Sequence, residues 1–137
     1  LPPGATYMLV PLEGWSTPPG LAYIRAHAEA LVDAEAEAQR GAWITGGSGQ
    51  AMTYMAKNAE ALGWLANNAY PTPFLSAEAA AIGSTVSAIA TEVRDAAIAW
   101  QAAGAAIEAK RRKAKMDIAA ATNLKDIHLA SQVDWQA

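Results

Sequence analysis

Apolar residues recur at helical spacing along most of this chain, and the stripes they form predict three main helices. The first begins after Pro18-Pro19-Gly20 and runs to about Arg40, with Leu21, Ile24, Ala28, Leu31 and Val32 on one stripe. The second covers about Gln50 to Asn68, where Met52, Met55, Ala59, Leu62 and Ala66 share one side. A methionine stripe at this spacing reads as core. Asn67-Asn68 and then Pro71-Thr72-Pro73 stop this helix, because proline lacks the N–H donor and disfavours helix before it. Ser76 is placed to cap a short helical segment ending near Gly83.

The third main helix is the clearest. It starts at Ser84 or Thr85 and persists to about Ala121. Val86, Val93, Trp100, Ile107, Ala114 and Ala121 recur every seven residues, a spacing that belongs to coiled coils and bundles. Ile89, Ala96 and Ala103 suit a close seam beside it, whereas Lys110 and Asp117 do not. Gly104 costs about 1 kcal/mol relative to alanine unless close packing needs it. Asn123 is placed to cap a last short helix through Leu124, Ile127 and Leu129, and Trp135 near the end suggests a docked tail.

Residues 1–20 read differently. They hold five of the seven prolines around one short apolar run with β propensity, Thr6-Tyr7-Met8-Leu9-Val10. No second strand is evident to pair with it. The fold class expected is therefore all-α: a bundle of three main helices, residues 21–137, with an extended Pro-rich N-terminal arm, residues 1–20. Tyr7, Leu9 and Val10 are the residues through which the arm would contact its own helices or a neighbour. Gly46, Gly47 and Gly49 allow a sharp turn between the first two helices, with Ser48 as the expected N-cap.

Composition adds a weak core to this picture. Hydrophobic residues make up 53% of the 137, but much of that share is alanine, which buries little area, so assembly with other chains would compensate. The five tryptophans suit interface anchors or core filling. A net charge of -3 gives no general attraction to nucleic acid. With no cysteine, disulfides, thiolate metal sites and cysteine nucleophiles are excluded. No apolar run reaches the roughly 18 residues of a membrane span, and Glu92, Arg94 and Asp95 interrupt the alanine-rich region. The N-terminus lacks the basic region of a signal peptide, and Leu1 in first position reads as a trimmed chain, a fragment or a non-standard start.

Candidate chemistry is sparse. His27 and His128 are the only histidines and lack any HExxH-type partner, so no metal or catalytic residue is assigned, and no cofactor. No Gly-x-Ser-x-Gly elbow occurs. The Gly46-Gly47-Ser48-Gly49 turn is not a phosphate loop, because Gln50-Ala51 stands where Lys-Ser/Thr is required. Glu29, Asp33, Glu35 and Glu37 give the first helix an acidic, solvated face. Lys110-Arg111-Arg112-Lys113-Ala114-Lys115 leaves three readings open: a solvated face, a salt-bridging surface for the acidic first helix, or a phosphate-binding patch. The second suits charge pairs between subunits that set register. Nothing aromatic is interleaved to favour nucleic acid.

Several words of the chain, in order, resemble a family of small tail-associated proteins, or C-terminal modules of tail proteins, in tailed bacteriophages. They are Ile44-Thr45-Gly46 leading to Gly49-Gln50-Ala51-Met52-Thr53-Tyr54, then Lys57 and Glu60-Ala61. Tyr70-Pro71 follows with Glu78-Ala79-Ala80-Ala81-Ile82-Gly83, then Ala106-Ile107-Glu108-Ala109-Lys110-Arg111 and the closing Val133-Asp134-Trp135. The likeness spans Asp33 to Trp135 and leaves the Pro-rich residues outside. It implies a non-enzymatic structural component of the virion, in the tail or on a tail fibre. Such a component would reside in the host cytoplasm during assembly and be partnered by other tail or fibre proteins and by its own copies. A tail-fibre assembly chaperone, absent from the mature particle, is the alternative. Val86, Val93, Trp100 and Ile107 are the residues expected to carry packing or oligomerisation.

Overall fold

The computed structural model describes residues 16–44 and 47–137. Among them the chain is all-α, with five helices and no strand: α1 (Pro18–Gly41), α2 (Ser48–Ala66), α3 (Pro73–Ile82), α4 (Val86–Ala120) and α5 (Leu124–Ser131). Tyr7, Leu9, Val10 and the rest of residues 1–15 lie outside the described residues, as do Thr45 and Gly46, whereas residues 18–20 of the expected arm are helical.

Helix ends follow local chemistry, in three places differently from expectation. α1 begins at Pro18, so the prolines form its first turn instead of preceding it. Proline fits there because the first turn has no use for its missing N–H. Thr17 stands ahead of it, its carbonyl accepting from Leu21 N–H at 2.8 Å. α3 likewise starts at Pro73, three residues before the expected cap Ser76, which lies inside the helix. It stops at Gly83, whose φ of 69° is the left-handed conformation that glycine tolerates best. Ser84 N–H then closes back on Ala79 O at 2.9 Å. Gly47 (φ 104°), not Ser48, is the N-cap of α2. α4 and α5 open on the residues the sequence offers: Thr85 Oγ1 accepts from Ala88 N–H at 3.1 Å, and Asn123 Oδ1 from Asp126 N–H at 2.9 Å.

The described residues divide into two compact units. The first comprises the described part of Leu1–Glu37 together with Glu108–Ala137. Its core is Ala28, Val32, Ala114, Ile118, Ala121 and Ile127, with Leu21, Ile24, Val133 and Trp135 packed against it. Trp135 thus docks the tail. The end of α4 is held from α1: the Arg25 guanidinium donates to Ile118 O at 3.3 Å and Ala121 O at 2.8 Å. A helix end leaves its last carbonyls short of internal partners (Ile118 O has only a long bond, 3.3 Å, from Ala121 N–H), and a cation suits the negative end of the helix dipole.

The second unit is Ala38–Ile107, with Ala61, Leu75, Ala79, Ile89 and Ala90 as its core and Trp64, Val86 and Val93 against it. Glu60 of α2 is buried, and its two carboxylate oxygens each accept a backbone N–H of α3, Phe74 and Leu75, both at 3.0 Å. Lys57 of α2 pairs with Glu78 of α3 at 2.6 Å. Near the end of α2, a Cβ on Gly63 would lie 2.6 Å from the Tyr70 ring, so only glycine admits that ring against the helix. Three of the five core residues here, and three of the six in the first unit, are alanine, so both cores are thin.

Gly104 has no such duty, since nothing lies within 4 Å of a Cβ built there. Gly104→Ala is therefore expected to raise stability by about 0.5–1 kcal/mol through its helix propensity, read as a higher melting temperature.

Candidate functional site

The seven-residue repeat of α4 passes through several environments. Val86 and Val93 are half-buried against the second core, and Ile107, Ala114 and Ala121 are buried. Trp100, between them, is 44% exposed, and Ile98 beside it is exposed as well.

Lys110, Arg111, Lys113 and Lys115 of the basic cluster are engaged within the chain. Asp33 of α1 accepts from Arg111 Nη1 and from Lys115 Nζ, each at 2.8 Å. Arg111 also holds Glu108 with two bonds, at 2.9 and 2.8 Å. Lys113 reaches Asp117 at 2.6 Å, and Lys110 donates to Asp134 O at 2.9 Å and to Ala137 O. The salt-bridging surface for the first helix is present, inside a single chain, through Arg111 and Lys115. The acidic face is correspondingly not just solvated: besides Asp33, Glu35 faces Trp135 Nε1 at 3.4 Å.

Lys115 and then Arg111, by hydrogen bonding, hold the Asp33 carboxyl below its ordinary value of 3.8. Glu108 first and Asp33 second push the Arg111 guanidinium up. A depressed carboxylate pKa stabilises the fold above the unfolded value and loses that contribution as pH falls through the folded one. Asp33→Asn is therefore expected to lower stability at neutral pH by less than about 1 kcal/mol, since the pairs are solvent-screened. Below pH 4, or in high salt, the difference from the parent chain should shrink; thermal melts across pH check it.

The methionine stripe of α2 is not core. Met52 is 70% exposed, Met55 74% and Leu62 53%, and Ala59 and Ala66 are exposed with them. The reason is Glu60 and Ala61: α2 turns these buried residues towards α3, which leaves the stripe facing out. Periodicity identified the stripe but not the side that would be covered. Glu60 itself escaped the sequence reading as a cap, since its partners lie 14 and 15 residues downstream.

His27 and His128, remote in sequence, line one cleft of about 250 Å³ with Ile24, Leu31, Ser131 and Gln132. Among the described residues no group of three or more His, Asp or Glu side chains is arranged to hold a metal ion. No single helix among them is long and apolar enough to cross a membrane.

These features define an all-α protein whose distinctive surface is apolar helix face. Comparisons with protein-family models, with curated proteins and with solved structures return no match.

Proposed function

We propose that the chain is a non-enzymatic structural component of a tailed-phage virion, a tail or tail-fibre accessory protein that works through helix packing and oligomeric assembly. In this reading α1, α2 and α4 are the main helices of the assembled bundle, and the Pro-rich stretch ahead of α1 forms an arm that reaches a neighbouring tail protein. The virion assignment rests on the ordered words between Asp33 and Trp135. The assembly mechanism rests on one observation: Met52, Met55, Leu62, Ile98 and Trp100 stand exposed on a protein whose two cores are half alanine. Apolar patches of this kind mark surfaces that other proteins cover.

Mass spectrometry of purified virions tests the assignment, with the protein expected among the particle's tail components. Trp100→Ala tests the part played by the α4 repeat. A smaller assembled mass or a lower melting temperature is expected, and no change in either removes that repeat from the mechanism. The second reading, a fibre-assembly chaperone, draws on the exposed methionines, whose flexible thioethers adapt to varied partners. It requires the protein in infected-cell lysates and its absence from finished particles.

A further inference from the structure

The outward face of α2 has features that specify its occupant. Met52, Met55, Ala59, Leu62 and Ala66 alternate spacings of three and four, the pattern by which one helix receives another. All five are exposed. The positions flanking them, Ala51, Ala56, Asn58, Gly63 and Leu65, carry no charge. The helix has only two charged residues, and both point their chemistry inward: Lys57 to Glu78 at 2.6 Å, and Glu60 to the start of α3.

Unlike partners are selected by complementary charges beside such a seam, and identical copies are kept apart by like ones. This face has neither. An identical copy meets no repulsion on it and buries no unpaired ion. The helix is also folded beforehand against α3, so pairing need not order it.

We propose that this face is a self-association surface on which a second copy of the chain seats its own α2 antiparallel. Met52 of one copy packs on Leu62 of the other, and Met55 on Ala59. A parallel, in-register pair would set Ala59 on Ala59 between bulkier layers and leave a gap. The antiparallel pair sets the long, flexible Met55 side chain on Ala59 and opposes the two helix dipoles. Every contact occurs twice, as a two-fold interface requires. The inference deepens the assembly reading above and rests on it, moving the contact from the α4 repeat to α2.

The test uses the full chain and measures assembled mass in solution by light scattering and sedimentation. Met52→Lys and Leu62→Glu are each expected to weaken association at least about tenfold, each copy burying one charge without a partner. Helix content, and the melting temperature at dilutions where the parent chain is itself dissociated, should stay at parent values, because both side chains are mostly exposed in the single chain. Mixing the two variants should restore dimers, since an antiparallel pair sets the new lysine against the new glutamate. The parent chain has no cysteine, so Met52→Cys is a clean geometric probe: self-crosslinking under oxidation is not expected, and its occurrence would mean a parallel pair and overturn the proposal.

Unchanged assembly in both charge variants would also overturn it. If Trp100→Ala then dissociated the assembly, the general reading would survive with α4 as the contact. A parent chain that remained monomeric at about 100 µM, where a micromolar dimer would be populated, would overturn this proposal and the oligomeric mechanism together. The virion assignment would still stand or fall on the particle's own protein content.

Discussion

Glu60→Ala is expected to destabilise the second unit by about 2–4 kcal/mol, a large effect for one side chain at a helix start. Both oxygens of this buried carboxylate are used, one on Phe74 N–H and one on Leu75 N–H. α3 has little else to hold its first turn. Thr72 at its N-cap makes no side-chain cap, its hydroxyl being spent on Ser76 Oγ at 2.8 Å. Ten residues are too few for a helix to persist alone in water. Without Glu60, two backbone donors remain beside the core and the positive end of the helix loses its counter-charge. Glu60→Gln retains one acceptor oxygen but turns an amide NH₂ towards the other donor, so it should fall between alanine and the parent. Denaturant unfolding gives the size, and amide exchange should show Leu75 and its neighbours losing protection first.

Ile118→Ala is expected to cost about 2–5 kcal/mol, from lost burial plus the cavity left behind. Ile118 is fully buried, and its core companions Ala28, Ala114 and Ala121 are too short to reach into the vacated space. Collapse is further opposed by Arg25, which pins the Ile118 and Ala121 carbonyls and so resists movement of the α4 backbone. Leu75→Ala in the second core should be comparable, its neighbours there including Ala61, Ala79 and Ala90. Thermal and denaturant unfolding of the two variants check both. Arg25→Lys should retain only part of the cap, since an ammonium cannot present the guanidinium's fork to two carbonyls.

What the sequence made legible depended on distance along the chain. The caps at Thr85 and Asn123, the stop before Pro73 and the seven-residue spacing of α4 all rest on neighbours within a turn or two, and the helices lie close to where these signals put them. Pro18 and Ser76 misled by a few residues, because a proline ahead of a helix and one inside its first turn look alike in sequence. The features that organise the surface are non-local. Asp33 meets Arg111 and Lys115 across 78 and 82 residues, and Arg25 reaches the end of α4 across more than 90. No local pattern in α2 announces that Glu60 serves another helix. Once it does, the exposure of Met52 and Met55 follows from the turn of the helix.

The placement of Trp64 and Trp135 gives the protein an optical property. Trp64 packs against the second core and Trp135 against the first, so each unit contains its own intrinsic fluorophore. With Trp15, Trp43 and Trp100 replaced by phenylalanine, and then Trp64 or Trp135 in turn, the emission of one indole would follow the opening of one core without any added label. Superimposable unfolding curves would mark the chain as a single cooperative system, and separated curves would assign a stability to each core in turn.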